Sequence, residues 1–308
     1  MKYHINESIT IDAPLEKIRT LIEDFTNWNS WSPWTIAEPG LTPTIEGTKA
    51  EAGHKMSWDG EIIGSGINTI SKVEDNAIHY DLEFIKPFKS KAKTSFQFKK
   101  VESGIQLTWS MDSSMPFFLF FMIKKMKAWI SMDYQRGLNM IKAMAEDGKV
   151  NAITSNEGIK NFDGFSYIGI KKTSTMEEMP TDMRASFEEL INFLVQKHGK
   201  SAKHWVSIYT KTNMAKQEFT YIAAMSAEEL QDIELPKHFI RGEIKDGNML
   251  EVKHHGSYKF LGNAWSMASM FVRAKKIYRR GKPFEYYWNS PMEVNEEELK
   301  TSIYFPVK

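Results

Sequence analysis

Two hydrophobic periods alternate along the chain, and they mark its elements. From Tyr3 to Ile11 apolar and polar positions alternate, with Ile5, Glu7, Ile9 and Ile11 on one face, which predicts a strand. Asp12-Ala13-Pro14 then opens a helix, because proline suits a first helical position, and Leu15, Ile18, Ile22 and Phe25 follow at helical spacing. Trp28, Trp31 and Trp34 form an aromatic loop behind it. Period-two runs return over 54–58, 60–71, 77–84, 91–100 and 105–111, with Asp59-Gly60 and Ser103-Gly104 as hairpin turns. A long amphipathic helix closes the series, with Trp129, Ile130, Tyr134, Gly137, Leu138, Ile141 and Met144 on one stripe. Residues 1–149 are therefore expected to form an α+β helix-grip domain, a curved antiparallel sheet around a long C-terminal helix.

Residues 150–160 are polar with little periodicity, which predicts a linker. Beyond it, over 161–308, the pattern repeats. Strand (165–171), helix (182–198), strand (204–210), strand (217–225) is followed by strand (239–244, extending towards 255), helix (259–279), strand (283–288), strand (300–307). Such a duplicated strand-helix-strand-strand domain should pair its halves edge to edge, with both helices on one face and a groove on the other.

Charge and composition exclude several classes. The net charge of +1 gives no overall field for nucleic acid or an anionic surface. Cysteine is absent, which removes disulfides and thiolate chemistry and fits a reducing compartment. The first residues lack the apolar stretch of a signal peptide, and the longest apolar run, Met115 to Ile123, contains Pro116 and is too short to span a bilayer. A cytoplasmic protein without membrane insertion is expected. Phe117-Phe118-Leu119-Phe120-Phe121, followed by Lys124-Lys125, is read as capping a cavity or packing beneath the closing helix rather than as a membrane-touching wedge, since one short patch gives marginal membrane affinity. Gly64-Ser65-Gly66 is read as a strand bulge rather than a phosphate loop. His254-His255 face opposite sides of a strand, so no metal site is expected, and no cofactor motif is present. The basic run Arg273, Lys275, Lys276, Arg279, Arg280 and Lys282 reads as cations at a helix C-terminus.

Two resemblances overlie these patterns. Ile9-Thr10-Ile11-Asp12-Ala13-Pro14, the Trp28–Trp34 loop, Trp58 and Gly60, Gly64 and Gly66, Lys86-Pro87-Phe88, Thr108-Trp109 and Gly137-Leu138 make the first half similar to the START/polyketide-cyclase-like (SRPBCC) superfamily. That resemblance implies a hydrophobic cavity between sheet and helix. Gly256-Ser257-Tyr258, Ala264-Trp265, Pro283-Phe284-Glu285, Tyr287, Asn289, Pro291 and Thr301 to Val307 make the second half resemble the gyrase-inhibitor-like effector-binding domain of multidrug-sensing transcription regulators. That implies a groove in which Glu285 meets cationic or polarised ligands. Such regulators carry a helix-turn-helix. Here a START-like domain occupies its place, so direct nucleic-acid binding is not expected.

Glu285 is the sharpest candidate on either ground. Strand alternation places it opposite Phe284, Tyr286 and Trp288 and beside Tyr287. Either it faces open water, or it sits in a pocket that awaits a partner, since a carboxylate among aromatics is costly alone. Tyr258 and Trp265 are candidates to line the same groove with Tyr287, and Tyr167 and Trp205 are the candidates from the first repeat. Taken singly, Tyr258, Trp265, Tyr167, Trp205, Tyr209 and Tyr221 also fit ordinary core roles.

A non-enzymatic binding protein is expected, sensing or sequestering a hydrophobic, including cationic, small molecule. One alternative is a hydrolase of strained natural-product electrophiles with Glu285 as the catalytic group, since some relatives of the second domain hydrolyse such compounds. A hydroxyl within hydrogen-bond reach of Glu285 in a closed pocket would favour chemistry, whereas a lone carboxylate in an open groove would favour binding. The other alternative is an accessory protein of transcription regulation that lacks its own DNA-binding domain.

Overall fold

Strand β1 (Lys2–Ile11) keeps its predicted alternation, with Ile5 and Ile11 buried towards the inside. After it come α1 (Leu15–Glu23) and the short α2 (Pro33–Ala37), then β2 (Thr44–Glu46), β3 (Lys55–Asp59), β4 (Ser65–Glu74), β5 (Ala77–Lys86), β6 (Ser90–Val101), β7 (Gly104–Ser114) and α3 (Ile123–Asp147). These come from a computed structural model that describes residues 1–227 and 233–308, and the chain divides into the units Met1–Asn151 and Ala152–Lys308. The first unit is one antiparallel sheet in the order β1-β7-β6-β5-β4-β3-β2. The register slips between Ser65 and Gly66, which makes the Gly-Ser-Gly stretch a bulge.

Helix α3 lies on the inner face. Glu7 on β1 accepts hydrogen bonds from Ser131 Oγ at 2.5 Å and Gln135 Nε2 at 2.9 Å. Further along, Tyr134 stacks on Trp109 with ring centroids 3.9 Å apart, and Trp31, Trp34 and Phe96 close around that pair. Helix and sheet approach closely here: a Cβ on Gly137 would sit 2.7 Å from the Trp109 ring. Where the resemblance implied open space, this end of the sheet–helix interface is filled by aromatic side chains. Gly148 (φ 76°) ends α3 with a left-handed cap.

The stripe predicted on α3 holds from Tyr134 onward but not at Trp129, which is 42% exposed. Trp129 lies five residues from Tyr134, roughly 140° around the helix, and so falls off the packed face. The expectation for Phe117 to Phe121 is also corrected. Phe117, Phe118, Phe120 and Phe121 are exposed, not tucked beneath the helix.

The second unit comprises β8 (Ala152–Phe162), β9 (Phe165–Thr175), α4 (Met179–Ile191), β10 (Ala202–Asn213), β11 (Glu218–Ala227), β12 (Phe239–Ile244), β13 (Gly247–Gly256), α5 (Gly262–Ala274), β14 (Phe284–Tyr287) and β15 (Lys300–Pro306). They form an antiparallel sheet in the order β12-β9-β11-β10-β14-β15-β13-β8. The duplication is visible, and the halves meet edge to edge at β10 and β14. Each half also owns a leading strand that crosses over. β8 pairs with β13 of the second half, and β12 pairs with β9 of the first.

Three corrections follow. The stretch read as linker, 150–160, is largely β8, a polar edge strand whose alternation is masked because much of it faces solvent. β12 and β13 are separate strands rather than one running towards 255. α5 ends at Ala274, and the basic run beyond it is not helical: Arg279 lies over the Phe305 ring at 4.9 Å, and Arg280 donates to the Asp246 carbonyl.

Candidate functional site between the two helices

β14 is only four residues long, yet it sits between β10 and β15 in the middle of the sheet. Its alternation sends Phe284 and Tyr286 into an apolar cluster with Val206, Ile208, Tyr304 and Tyr167. Glu285 faces the other way, directly across from Ser207. That is the face the helices cover. Ser207 Oγ lies 3.4 Å from Met183 Sδ of α4, and Trp265 of α5 donates its Nε1 proton to Glu285 Oε1 at 2.6 Å. The groove expected on the open face is therefore corrected: the carboxylate lies beneath the helices, between α4 and α5.

Glu285 is 4% exposed. Besides Trp265, the Tyr209 hydroxyl donates to Oε1 at 3.0 Å and the Tyr287 hydroxyl donates to Oε2. Ser207 Oγ and Met183 Sδ stand 3.1 Å and 3.2 Å from the Tyr287 oxygen. Aromatic rings complete the wall. Tyr258 and Phe187 approach Tyr287 at 6.0 Å and 5.8 Å between centroids, and Tyr209 meets Trp265 edge-on at 4.8 Å.

The electrostatics are lopsided. Burial raises the Glu285 pKa above its ordinary value, while the donors Tyr287, Trp265 and Tyr209 pull in the opposite direction. Tyr209 and Tyr287 are raised well above ordinary phenols by burial and then by the neighbouring carboxylate. Tyr258 is pushed up to about 12, by burial first, with Glu285 adding in the same direction. Every partner of Glu285 among the described residues is a neutral donor, and none is a cation. The site can thus hold a carboxylate in place without neutralising it.

Of the residues singled out from sequence, Glu285, Tyr287, Trp265 and Tyr258 come together here. Trp205 reaches the site only through Phe187, whose ring stands 5.7 Å from it. Tyr167 does not come: it lies in the cluster on the opposite face, against Gly242. Tyr209, which fitted a core role, is a direct partner of Glu285, and Ser207, Met183 and Phe187 were not anticipated. Alternation along 204–210 already placed Trp205, Ser207 and Tyr209 on one face. What was missing is the register that sets Ser207 opposite Glu285. His254 is buried with Nε2 2.9 Å from the Ser257 carbonyl oxygen, and among the described residues no cluster of His, Asp and Glu could hold a metal.

Comparison with known proteins agrees with the two halves. Residues 2–146 match the family described as polyketide cyclase / dehydrase and lipid transport, and residues 158–308 match the GyrI-like small molecule binding domain. No curated protein matches the chain. Among solved structures, the C-terminal domain of EcmrR is 16% identical, with 51% of this chain and 98% of that chain covered at a TM-score of 0.41. CV1439 from Chromobacterium violaceum is 16% identical, with 46% and 96% covered at 0.36. The di-domain ARO/CYC StfQ from the steffimycin biosynthetic pathway is 11% identical, with 48% and 52% covered at 0.40. In chain order, then, a match to the polyketide cyclase / dehydrase and lipid transport family is followed by a match to the GyrI-like small molecule binding domain.

Proposed function

We propose that the second unit binds an amphipathic organic cation between α4 and α5, with Glu285 as its counter-charge. One observation carries this reading: a buried carboxylate held by three neutral donors and by no cation among the described residues. Three donors stabilise the anion and fix its direction, but they leave its charge unspent. A cation supplies the missing partner, and the rings of Tyr258, Tyr287 and Trp265 add cation–π attraction of about 0.5–2 kcal/mol. Because Glu285 is roofed over, entry requires side chains around it to move, and Met183 has the flexible thioether suited to that.

A second reading rests on the Tyr209 and Tyr287 hydroxyls, which meet the geometric condition for chemistry. In it Glu285 takes a proton from water, the water oxygen bonds to a strained carbon as a ring bond breaks, and Tyr287 protonates the leaving atom. Glu285 then returns its proton to Tyr287 across their hydrogen bond. We favour binding, because Tyr287 is raised well above an ordinary phenol, which makes it a poor acid for the leaving atom.

Paired titration calorimetry of wild type and Glu285→Gln, with benzyltrimethylammonium and its uncharged carbon isostere neopentylbenzene, tests the reading. The cation should lose roughly 1.5–3 kcal/mol of affinity on substitution, the scale of a charge-assisted contact, and the isostere should change little. Equal losses for both compounds would overturn the electrostatic role. For strained electrophiles, mass spectrometry after incubation decides between the readings: a water adduct made by wild type and lost in Tyr287→Phe, with binding retained, would establish chemistry.

A further inference from the structure

The first unit exposes an apolar rim that its own core does not use. Phe117, Phe118, Phe120 and Phe121 are 76%, 72%, 55% and 68% exposed, and Phe88 is 81% exposed. They come from two segments far apart in sequence. Phe88 lies in the connection between β5 and β6, and the four others lie between β7 and α3. Strand register brings the segments to one end of the sheet. Phe84 pairs with Ser90 at the start of β6, and Ala92 in β6 pairs with Ser113 at the end of β7. The first turns of α3 continue the rim. No residue from Ile123 to Asp133 is buried, although Ile123, Met126, Trp129 and Ile130 are apolar.

The charge around this rim is one-sided. Neither 84–93 nor 113–132 contains an Asp or Glu, while they hold Lys86, Lys89, Lys91, Lys93, Lys124, Lys125 and Lys127. Lys86, Lys91 and Lys93 are paired to Asp59, Glu83 and Asp81 on other strands of the sheet. Lys125 lies over the Trp129 ring at 4.8 Å. Lys89, Lys124 and Lys127 have no ion-pair partner among the described residues. Exposed phenylalanines at loop tips, with Lys89, Lys124 and Lys127 left unpaired beside them, fit an interface that is apolar within and anionic at its surface.

We propose that this rim docks the protein peripherally on an anionic lipid bilayer, with the phenylalanines entering the acyl boundary and the lysines meeting the headgroups. No helix among the described residues is long and apolar enough to cross a membrane, so the attachment is to the surface. The expectation of no membrane insertion rested on the Met115–Ile123 run being too short to span a bilayer, and surface docking needs no span. One patch with a few lysines gives reversible binding, not permanent anchoring.

Co-sedimentation of the full chain with vesicles of phosphatidylcholine, alone or mixed with phosphatidylglycerol, tests this. Partitioning should be about tenfold or more stronger onto the anionic vesicles and should weaken with salt. A Phe117→Ser/Phe118→Ser/Phe121→Ser variant should lose partitioning about tenfold or more. Its far-ultraviolet dichroism and melting should match wild type, since the replaced side chains are exposed. Lys124→Glu/Lys125→Glu/Lys127→Glu should lose the preference for anionic vesicles. Absence of vesicle binding by wild type, or binding that the phenylalanine variant keeps, would overturn the proposal. So would sedimentation showing that the same phenylalanines instead hold two copies of the chain together.

Discussion

At the residue scale, Glu285 decides how the second unit responds to pH. Burial outweighs its three donors, so its pKa in the folded protein lies above the ordinary 4.5. An acid with a raised folded pKa binds its proton more tightly when folded. Its contribution to stability is therefore fully present below the unfolded pKa and is lost as pH rises through the folded one. Glu285→Gln mimics the neutral acid and should remove that loss. Wild type and variant should melt alike under acidic conditions and diverge as pH rises, with the variant the more stable of the two. Cation affinity should move the opposite way in wild type, growing as the carboxylate ionises. Melting curves across a pH series check both signs, and parallel curves for the two proteins would show that Glu285 carries no burial cost. Tyr209 and Tyr287 cannot take over the charge in this range, because both phenols are raised rather than lowered.

At the element scale, the edge strand β8 has a consequence for the boundary of the second unit. It pairs with β13 from Gly247↔Phe162 to Gly256↔Ala152, so it closes the free edge of the second half. A fragment beginning at Ala152 should unfold cooperatively. A fragment beginning at Asp163 should not, because β13 would be left as a long unpaired edge prone to association. Circular dichroism and gel filtration of the two fragments distinguish the outcomes, and equal stability would show that β8 is dispensable.

The same strand shows where sequence patterns stop being informative. Periodicity located most strands of the first unit, both helices of the duplication and the shared face of Glu285 and Tyr287, because these depend on neighbours a few residues away. β8 was hidden, since none of its residues is fully buried and neither face has to be apolar, and its partner begins some 90 residues later. Tyr209 was likewise visible as an aromatic on a strand. Its hydrogen bond to Glu285 depends on a pairing between strands 76 residues apart. Tyr167 erred the other way: pseudo-symmetry made it a candidate, but Ile168 and Ile170 take the helix face of β9 and turn Tyr167 to the opposite side.

At the scale of the whole molecule, two units with separate sheets and separate cores should unfold as separable transitions. This gives a test of ligand binding that does not depend on knowing the physiological compound. A ligand that binds only the folded second unit stabilises that unit by RT ln(1 + [L]/Kd), about 2.7 kcal/mol at a hundredfold excess over Kd. Calorimetry with an excess of benzyltrimethylammonium should therefore move one transition upward and leave the other in place. The mobile transition should be assignable through the Ala152 fragment, which should show it alone. In Glu285→Gln that shift should shrink to about half or less, since a loss of roughly 1.5–3 kcal/mol of affinity lowers [L]/Kd from a hundred to about eight or below. Neopentylbenzene should act on wild type and variant equally. A shift of the first unit's transition instead would place the cation in the other half of the chain. No shift of either transition would mean that Glu285 is stabilised by its three donors for the fold alone.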